Sequence, residues 1–147
     1  MRIGKIISFL IILFCSTALF AGESEMKISI HVTSTSGSHD LTAALADNSS
    51  AKAFAELLKK GPVTVDMHDY GSFEKVGDLP ASLPRNDTSI TTEPGDIILY
   101  QGNKITIYYD TNSWTFTRLG KVEGVSTAQL HKMLGKGNIT AVFELSE

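Results

Sequence analysis

The stretch that decides the fold is Pro94-Gly-Asp-Ile-Ile-Leu-Tyr-Gln-Gly-Asn-Lys-Ile-Thr-Ile-Tyr-Tyr-Asp-Thr-Asn-Ser-Trp-Thr-Phe-Thr-Arg-Leu-Gly-Lys121. Pro94-Gly95 makes a turn, and Asp96 to Tyr100 reads as a strand. Gly102-Asn103 is a tight-hairpin dipeptide, because both residues tolerate positive φ, and it sends the chain back along Lys104 to Asp110. Thr111-Asn112-Ser113 then turns it into Trp114 to Lys121. Three β-rich runs separated by turn residues predict an antiparallel meander.

Working outward, the N-terminal side adds a hairpin and a helix. Lys27 to Thr33 alternates, with Ile28, Ile30 and Val32 on one face and Ser29, His31 and Thr33 on the other, the period of a half-buried strand. A polar loop at Ser34 to Ser38 leads to a second strand around Asp40 to Leu45. From Ser50 to Lys60 the residues Ala51, Phe54, Leu57 and Leu58 recur at helical spacing, Asp47, Asn48 and Ser49 offer N-caps, and Gly61-Pro62 stops the helix. Val63, Val65 and Met67 alternate with Thr64, Asp66 and His68 in a further strand. From Asp69 to Thr92 the pattern weakens, and only a short strand near Phe73 to Val76 is expected there.

On the C-terminal side, Ser126 with Gln129 forms a capping box, with Val125 and Leu130 as its hydrophobic staple. Gly135 ends that helix, and Asn138 to Leu145 is a last strand with Ile139, Ala141, Phe143 and Leu145 on one face. Eight or nine short strands and two short α-helices without a βαβ rhythm predict a mainly β fold. Closure removes exposed strand edges, so a small antiparallel β-barrel is the favoured architecture.

Length and composition agree. The 147 residues suit one domain, and 42% hydrophobic content with a net charge of only -3 excludes disorder. An acidic balance argues against nucleic acid as a partner, since such binders need a basic surface to displace counterions. Residues 1–22 read as a secretory signal rather than as part of the fold. Arg2 and Lys5 precede an apolar run from Ile6 to Phe14, and small residues follow at Ser16, Ala18, Ala21 and Gly22. The run to Ala21 is shorter than the about 20 residues that span a bilayer, so no membrane partner is expected beyond this segment. Cleavage after Ala18 is favoured, because it leaves small Ser16 at the −3 position whereas cleavage after Ala21 leaves Leu19 there. A lipoprotein acylated at Cys15 is the alternative, disfavoured by bulky Phe14 in front of it. The domain is then 23–147, periplasmic or extracellular. Without Arg2 and Lys5, 11 of the 13 basic residues remain against 16 acidic ones. Cys15 is the sole cysteine, so the exported domain holds no disulfide and no catalytic thiol.

Three segments resemble the bacterial cyclophilin-like domain family. They are Asp69-Tyr70-Gly71-Ser72-Phe73-Glu74-Lys75-Val76-Gly77-Asp78-Leu79-Pro80-Ala81-Ser82-Leu83-Pro84, Pro94-Gly95-Asp96-Ile97-Ile98-Leu99-Tyr100, and Thr117-Arg118-Leu119-Gly120, in that order. The resemblance covers nearly the whole chain after the signal. It implies a closed cyclophilin-like β-barrel in a family whose activity is largely unassigned. True cyclophilins are peptidyl-prolyl isomerases whose site pairs an arginine with glutamine, phenylalanines, tryptophan and histidine. The Phe-His and Gln-Gly-Asp runs of that site are absent, and fold kinship alone does not carry activity.

The candidate chemistry is therefore binding. Arg85 and Arg118 are the arginines outside the signal, and Arg118 shares strand parity with Trp114 and Phe116. It is the catalytic candidate if the protein is an isomerase, although pairwise stacking on an exposed face accounts for the same parity. Asp66 and His68 alternate onto one face, but two side chains make a poor metal site, and His31, His39 and His131 stand at no ligand spacing. No metal and no cofactor are expected. His68 and Tyr70 run into the Gly/Pro-rich loop, where Glu74, Lys75 and Asp78 are binding groups or solubilising charges. Tyr100, Tyr108, Tyr109 and Trp114 are cross-strand packing or a ligand platform. The reading is a non-catalytic module that binds a peptide or small polar ligand in a groove beside the 69–84 loop. Its binding residues are His68, Tyr70, Glu74, Arg85, Tyr100, Trp114 and Arg118, and it is a monomer or weak dimer. The alternatives are a divergent prolyl isomerase acting on exported proteins and a subunit of an envelope complex.

Overall fold

Residues 24–147 are described in a computed structural model; the export segment read at 1–22, with Cys15, lies outside them. Among the described residues the elements run β1 (Lys27–Ser34), β2 (Gly37–Leu45), α1 (Ser49–Lys59), β3 (Val63–Tyr70), β4 (Glu74–Asp78), β5 (Thr88–Thr91), β6 (Asp96–Tyr100), β7 (Lys104–Tyr108), β8 (Ser113–Glu123), α2 (Thr127–Leu134) and β9 (Ile139–Leu145). Alternation forms the strands at both ends of the chain: Ile28, Ile30 and Val32 on β1, and Ile139, Ala141 and Phe143 on β9, are all buried.

The strands hydrogen-bond in the order β2-β1-β9-β3-β4-β7-β6-β8, and β2 pairs again with β8, so eight strands close on themselves. Every pairing is antiparallel. β5 stays outside the ring, paired along the first residues of β8 from Ser113 to Phe116. The fold is thus mainly β, a closed antiparallel barrel with two short helices.

A ring of this size is filled by its own side chains. Val63, Val65 and Met67 of β3, Ile105 and Ile107 of β7 and Phe143 of β9 share one core with Phe54 of α1, which meets Phe143 edge-on at 5.9 Å. Asn48 caps α1 by accepting from the Ala51 backbone N–H, and its amide donates to the Arg118 carbonyl, fastening the helix to β8. The capping box of α2 forms as its sequence specifies: Gln129 N–H donates to Ser126 Oγ while Ser126 N–H donates to Gln129 Oε1. Leu130 and Leu134 bring that helix onto the same core.

Two local expectations are corrected. The meander does not form: β6 and β7 are a hairpin, but β8 pairs with the other edge of β6, because β4 already occupies the far edge of β7. Buried Thr92 fixes that crossing, since its N–H donates to the Asn112 carbonyl and its hydroxyl accepts from the Asn112 N–H. The stretch 69–92 is also more regular than its sequence suggests. β3 extends to Tyr70, β4 covers Glu74–Asp78 and β5 covers Thr88–Thr91, leaving 79–87 as the irregular connection. Within it Leu79 and Leu83 are buried in the core, and their N–H groups donate to the Asn103 and Gly102 carbonyls.

Candidate functional site

Cross-strand partners share a face, so the register sorts the wall β3-β4-β7-β6-β8 into an inner and an outer surface. On the outer surface Tyr70 faces Glu74, which faces Tyr108, and His68 faces Val76, which faces Thr106. Ile98 carries that row on to Arg118. Ile98, Tyr108 and Phe116 form a second hydrophobic cluster, separate from the barrel core, with Phe73 and Tyr100 packed against it. A cleft of about 550 Å³ lies over this cluster, within the size range of small-molecule sites.

Its wall is a continuous aromatic chain. Tyr70 meets Phe73 edge-on at 5.9 Å, Phe73 stacks on Tyr108 at 5.9 Å, and Tyr108 meets Phe116 at 5.8 Å. Tyr100 then meets Phe116 at 6.2 Å. The turn between β3 and β4 permits the first of these contacts. Gly71 has φ +61°, and a Cβ there would collide with the Phe73 ring. Tyr70 and Trp114 are 59% and 63% exposed, so two large rings border the opening with most of their surface in solvent.

The polar groups are differently committed. Asp78 is paired with Lys104 at 2.5 Å, and the Lys104 ammonium holds its carboxyl below the usual carboxylate range. Asp66 accepts from the Thr140 hydroxyl at 3.0 Å. Glu74 is 8% exposed, and burial pushes its carboxyl up, with the facing Tyr108 hydroxyl offsetting part of that. Burial, and then Glu74, push the Tyr108 hydroxyl up in turn.

Five of the sequence-predicted residues, His68, Tyr70, Glu74, Tyr100 and Trp114, line this cleft. The two arginines do not. Arg85 is bound to Asp87 in the β4–β5 connection, and Arg118, on the same outer face, reaches to Asp96 at 3.3 Å. The 69–84 segment also divides: Tyr70 to Asp78 borders the cleft, whereas Leu79 and Leu83 fill the barrel. Phe73 and Phe116 are the lining aromatics the sequence did not single out as binding residues; the Trp114–Phe116 parity was the one signal pointing to the second. Tyr108 was legible only as an aromatic in the predicted meander.

Tyr109, next in the chain, points the other way and donates to Asp69 at 2.5 Å. Asp69 also meets Lys75, a fully buried ammonium that donates to the Gly135 and Gly137 carbonyls as well. A second hollow of about 720 Å³ lies beside this network, between Tyr109 and α2, and is lined by Asp69, Tyr109, His131, Lys132 and Lys136. His31 contacts Asp40, His39 contacts Ser36 and His131 contacts the Tyr109 carbonyl, so the remaining histidines are dispersed. Among the described residues no three His, Asp or Glu side chains come together where a metal ion would be held.

A family model for the cyclophilin-like family matches residues 34–144, a span that contains every residue lining the cleft. No curated protein matches the chain.

Proposed function

The chain belongs to the cyclophilin-like family, and from that premise we propose that it is an exported, non-catalytic module that holds a small ligand or a peptide side chain in the outer-wall cleft. The observation that carries this reading is the cleft itself: about 550 Å³, walled by aromatic rings and lined by no arginine. Uncatalysed prolyl rotation faces a barrier of about 18–20 kcal/mol set by amide resonance. An isomerase lowers it with an apolar pocket and a donor aimed at the prolyl nitrogen. Here the apolar wall is present, but Arg85 and Arg118 are engaged by carboxylates elsewhere, and Lys104 is engaged by Asp78. Family membership supplies the barrel; it does not supply the activity. Export rests on the residue pattern of 1–22, and with it the module works in the periplasm or outside the cell.

The test has two arms. Exchange spectroscopy on an Ala-Pro peptide is expected to show the uncatalysed cis/trans rate in the presence of the purified protein. Acceleration that Arg118→Ala abolishes would replace this reading with the divergent isomerase. Crystals soaked with a library of small polar and aromatic fragments are expected to show density over Tyr108 and Phe116. Fragments that settle only elsewhere on the surface would overturn the cleft as the binding site.

A further inference from the structure

We propose that the cleft is a receptor for an organic cation, an ammonium or guanidinium group seated against the aromatic rings with Glu74 as its counter-charge. This rests on the cleft being the binding site and names the chemistry it selects. Three observations lead there. The faces of aromatic rings carry partial negative charge and attract cations, most strongly the indole. Here the exposed indole of Trp114 and the exposed ring of Tyr70 line the cleft together with the stacked rings of Phe73 and Tyr108. A site meant for a purely apolar ligand has no use for carboxylates, yet Asp66, Glu74 and Asp78 line this one against two basic side chains, Lys104 and His68.

The lysine is also unavailable to Glu74, because it is bound to Asp78. The other cations of the wall are engaged too: Lys75 with Asp69 on the inner side, and Arg118 and Lys121 with Asp96. Among the described residues no ion pair joins Glu74 to a cation. A carboxyl so enclosed bears a desolvation penalty whenever it ionises, and an incoming cation relieves it. The charge that is unfavourable in the empty cleft becomes favourable in the filled one. An anionic ligand meets the reverse, the unpaired Glu74 carboxylate and the negative faces of the rings.

A free amine and a lysine or arginine side chain of a peptide present the same chemistry, so the probes separate them. Choline is compared with its uncharged isostere 3,3-dimethyl-1-butanol, and N-acetyl-lysine methylamide with N-acetyl-norleucine methylamide, at matched ionic strength. Trp114 is the sole tryptophan of the chain, so its fluorescence reports the cleft directly. At least one cation is expected to bind about tenfold or more tighter than its isostere, and the better of the two identifies the source. Glu74→Gln is expected to remove most of that preference, through weaker binding of the cation. Should Glu74→Gln fail to fold, Trp114→Ala at the exposed rim, followed by calorimetry, is expected to narrow the same preference several-fold. Equal binding of cation and isostere would overturn the cation assignment and leave the cleft as a binding site. Silence from all four probes would overturn the assignment as well, and the fragment soaks then decide the fate of the cleft separately.

Discussion

Replacing Lys75 by Met is the sharpest test of how the cleft is held in place. Lys75 sits on β4 between two residues that border the cleft, Glu74 and Val76, and points inward. Its ammonium donates to Asp69 at 3.1 Å and to the Gly135 and Gly137 carbonyls at 2.9 and 2.7 Å, so it ties β3, β4 and the α2–β9 connection together. Met keeps most of the volume of the stem, and the loss is therefore electrostatic. Two partly shielded carbonyls lose their donor, toward the lower end of about 1–3 kcal/mol each. Asp69 keeps the Tyr109 hydroxyl and has 29% of its side chain exposed, so its share is smaller. The expected total is about 3 kcal/mol, the lower end of the range for breaking one side of a buried ion pair. That is a large fraction of the about 5–15 kcal/mol that stabilises an ordinary domain. Urea unfolding followed by circular dichroism is expected to show a lower midpoint at an unchanged slope. Acid adds a second signature. Burial opposes ionisation of Asp69, but the Tyr109 hydroxyl and the Lys75 ammonium together outweigh it and hold the carboxyl below its usual range. A depressed folded value gives stability that is present above the unfolded pKa and is lost as pH falls through the folded one. Lys75→Met is expected to flatten that acid dependence. A loss under about 1 kcal/mol, or an unaltered acid limb, would refute the account of Lys75 as the tie beneath the cleft.

Two further outcomes follow from neighbouring residues. Gly77→Ala places a Cβ against the Asp66 carbonyl and Val65 Cγ1, so β3 and β4 must separate; a loss of about 1–3 kcal/mol is expected, and a melting temperature equal to that of the unaltered protein would contradict the close approach. Glu74 has the opposite linkage sign from Asp69: its folded pKa is raised, so its stability contribution is lost as pH rises through that value. Glu74→Gln is accordingly expected to stabilise the empty protein at neutral pH and to lose that gain on acidification, and a neutral-pH loss in thermal melts would count against the burial argument.

The fold was legible wherever local pattern and global position agree. Strict alternation marked β1 and β9, and the Ser126/Gln129 pair marked α2, because both signals are written within a few residues. β4 was harder for a physical reason. Its inward positions are Lys75 and Gly77, while Glu74 and Val76 look outward, so the hydrophobic pattern that marks a strand is inverted there. The buried ammonium becomes intelligible only once Asp69 and two carbonyls from the far end of the chain surround it. The partner of β8 was likewise invisible: a turn at Thr111–Ser113 fits pairing with β7 as well as passage to β6. The choice is made by β4, which is distant in sequence and takes the edge of β7 first.

The site shows a different limit. Strand parity placed Trp114, Phe116 and Arg118 on one face, and they do share it. Parity fixes the face but says nothing about position along the strand, nor about which neighbour draws a long side chain. Asp96, 1% exposed and accepting from the Glu93 N–H, draws the Arg118 guanidinium toward the start of β6, while Tyr100 at the other end of β6 joins Phe116 over the cleft. The cleft's position follows from the same closure that hides its residues from local reading. Leu79, Leu83 and Phe54 join the strand side chains in filling the ring. The aromatic and acidic surface made by five strands lies on the outer wall. There Phe73, in the turn after β3, meets Tyr70 edge-on and borders the cleft with it.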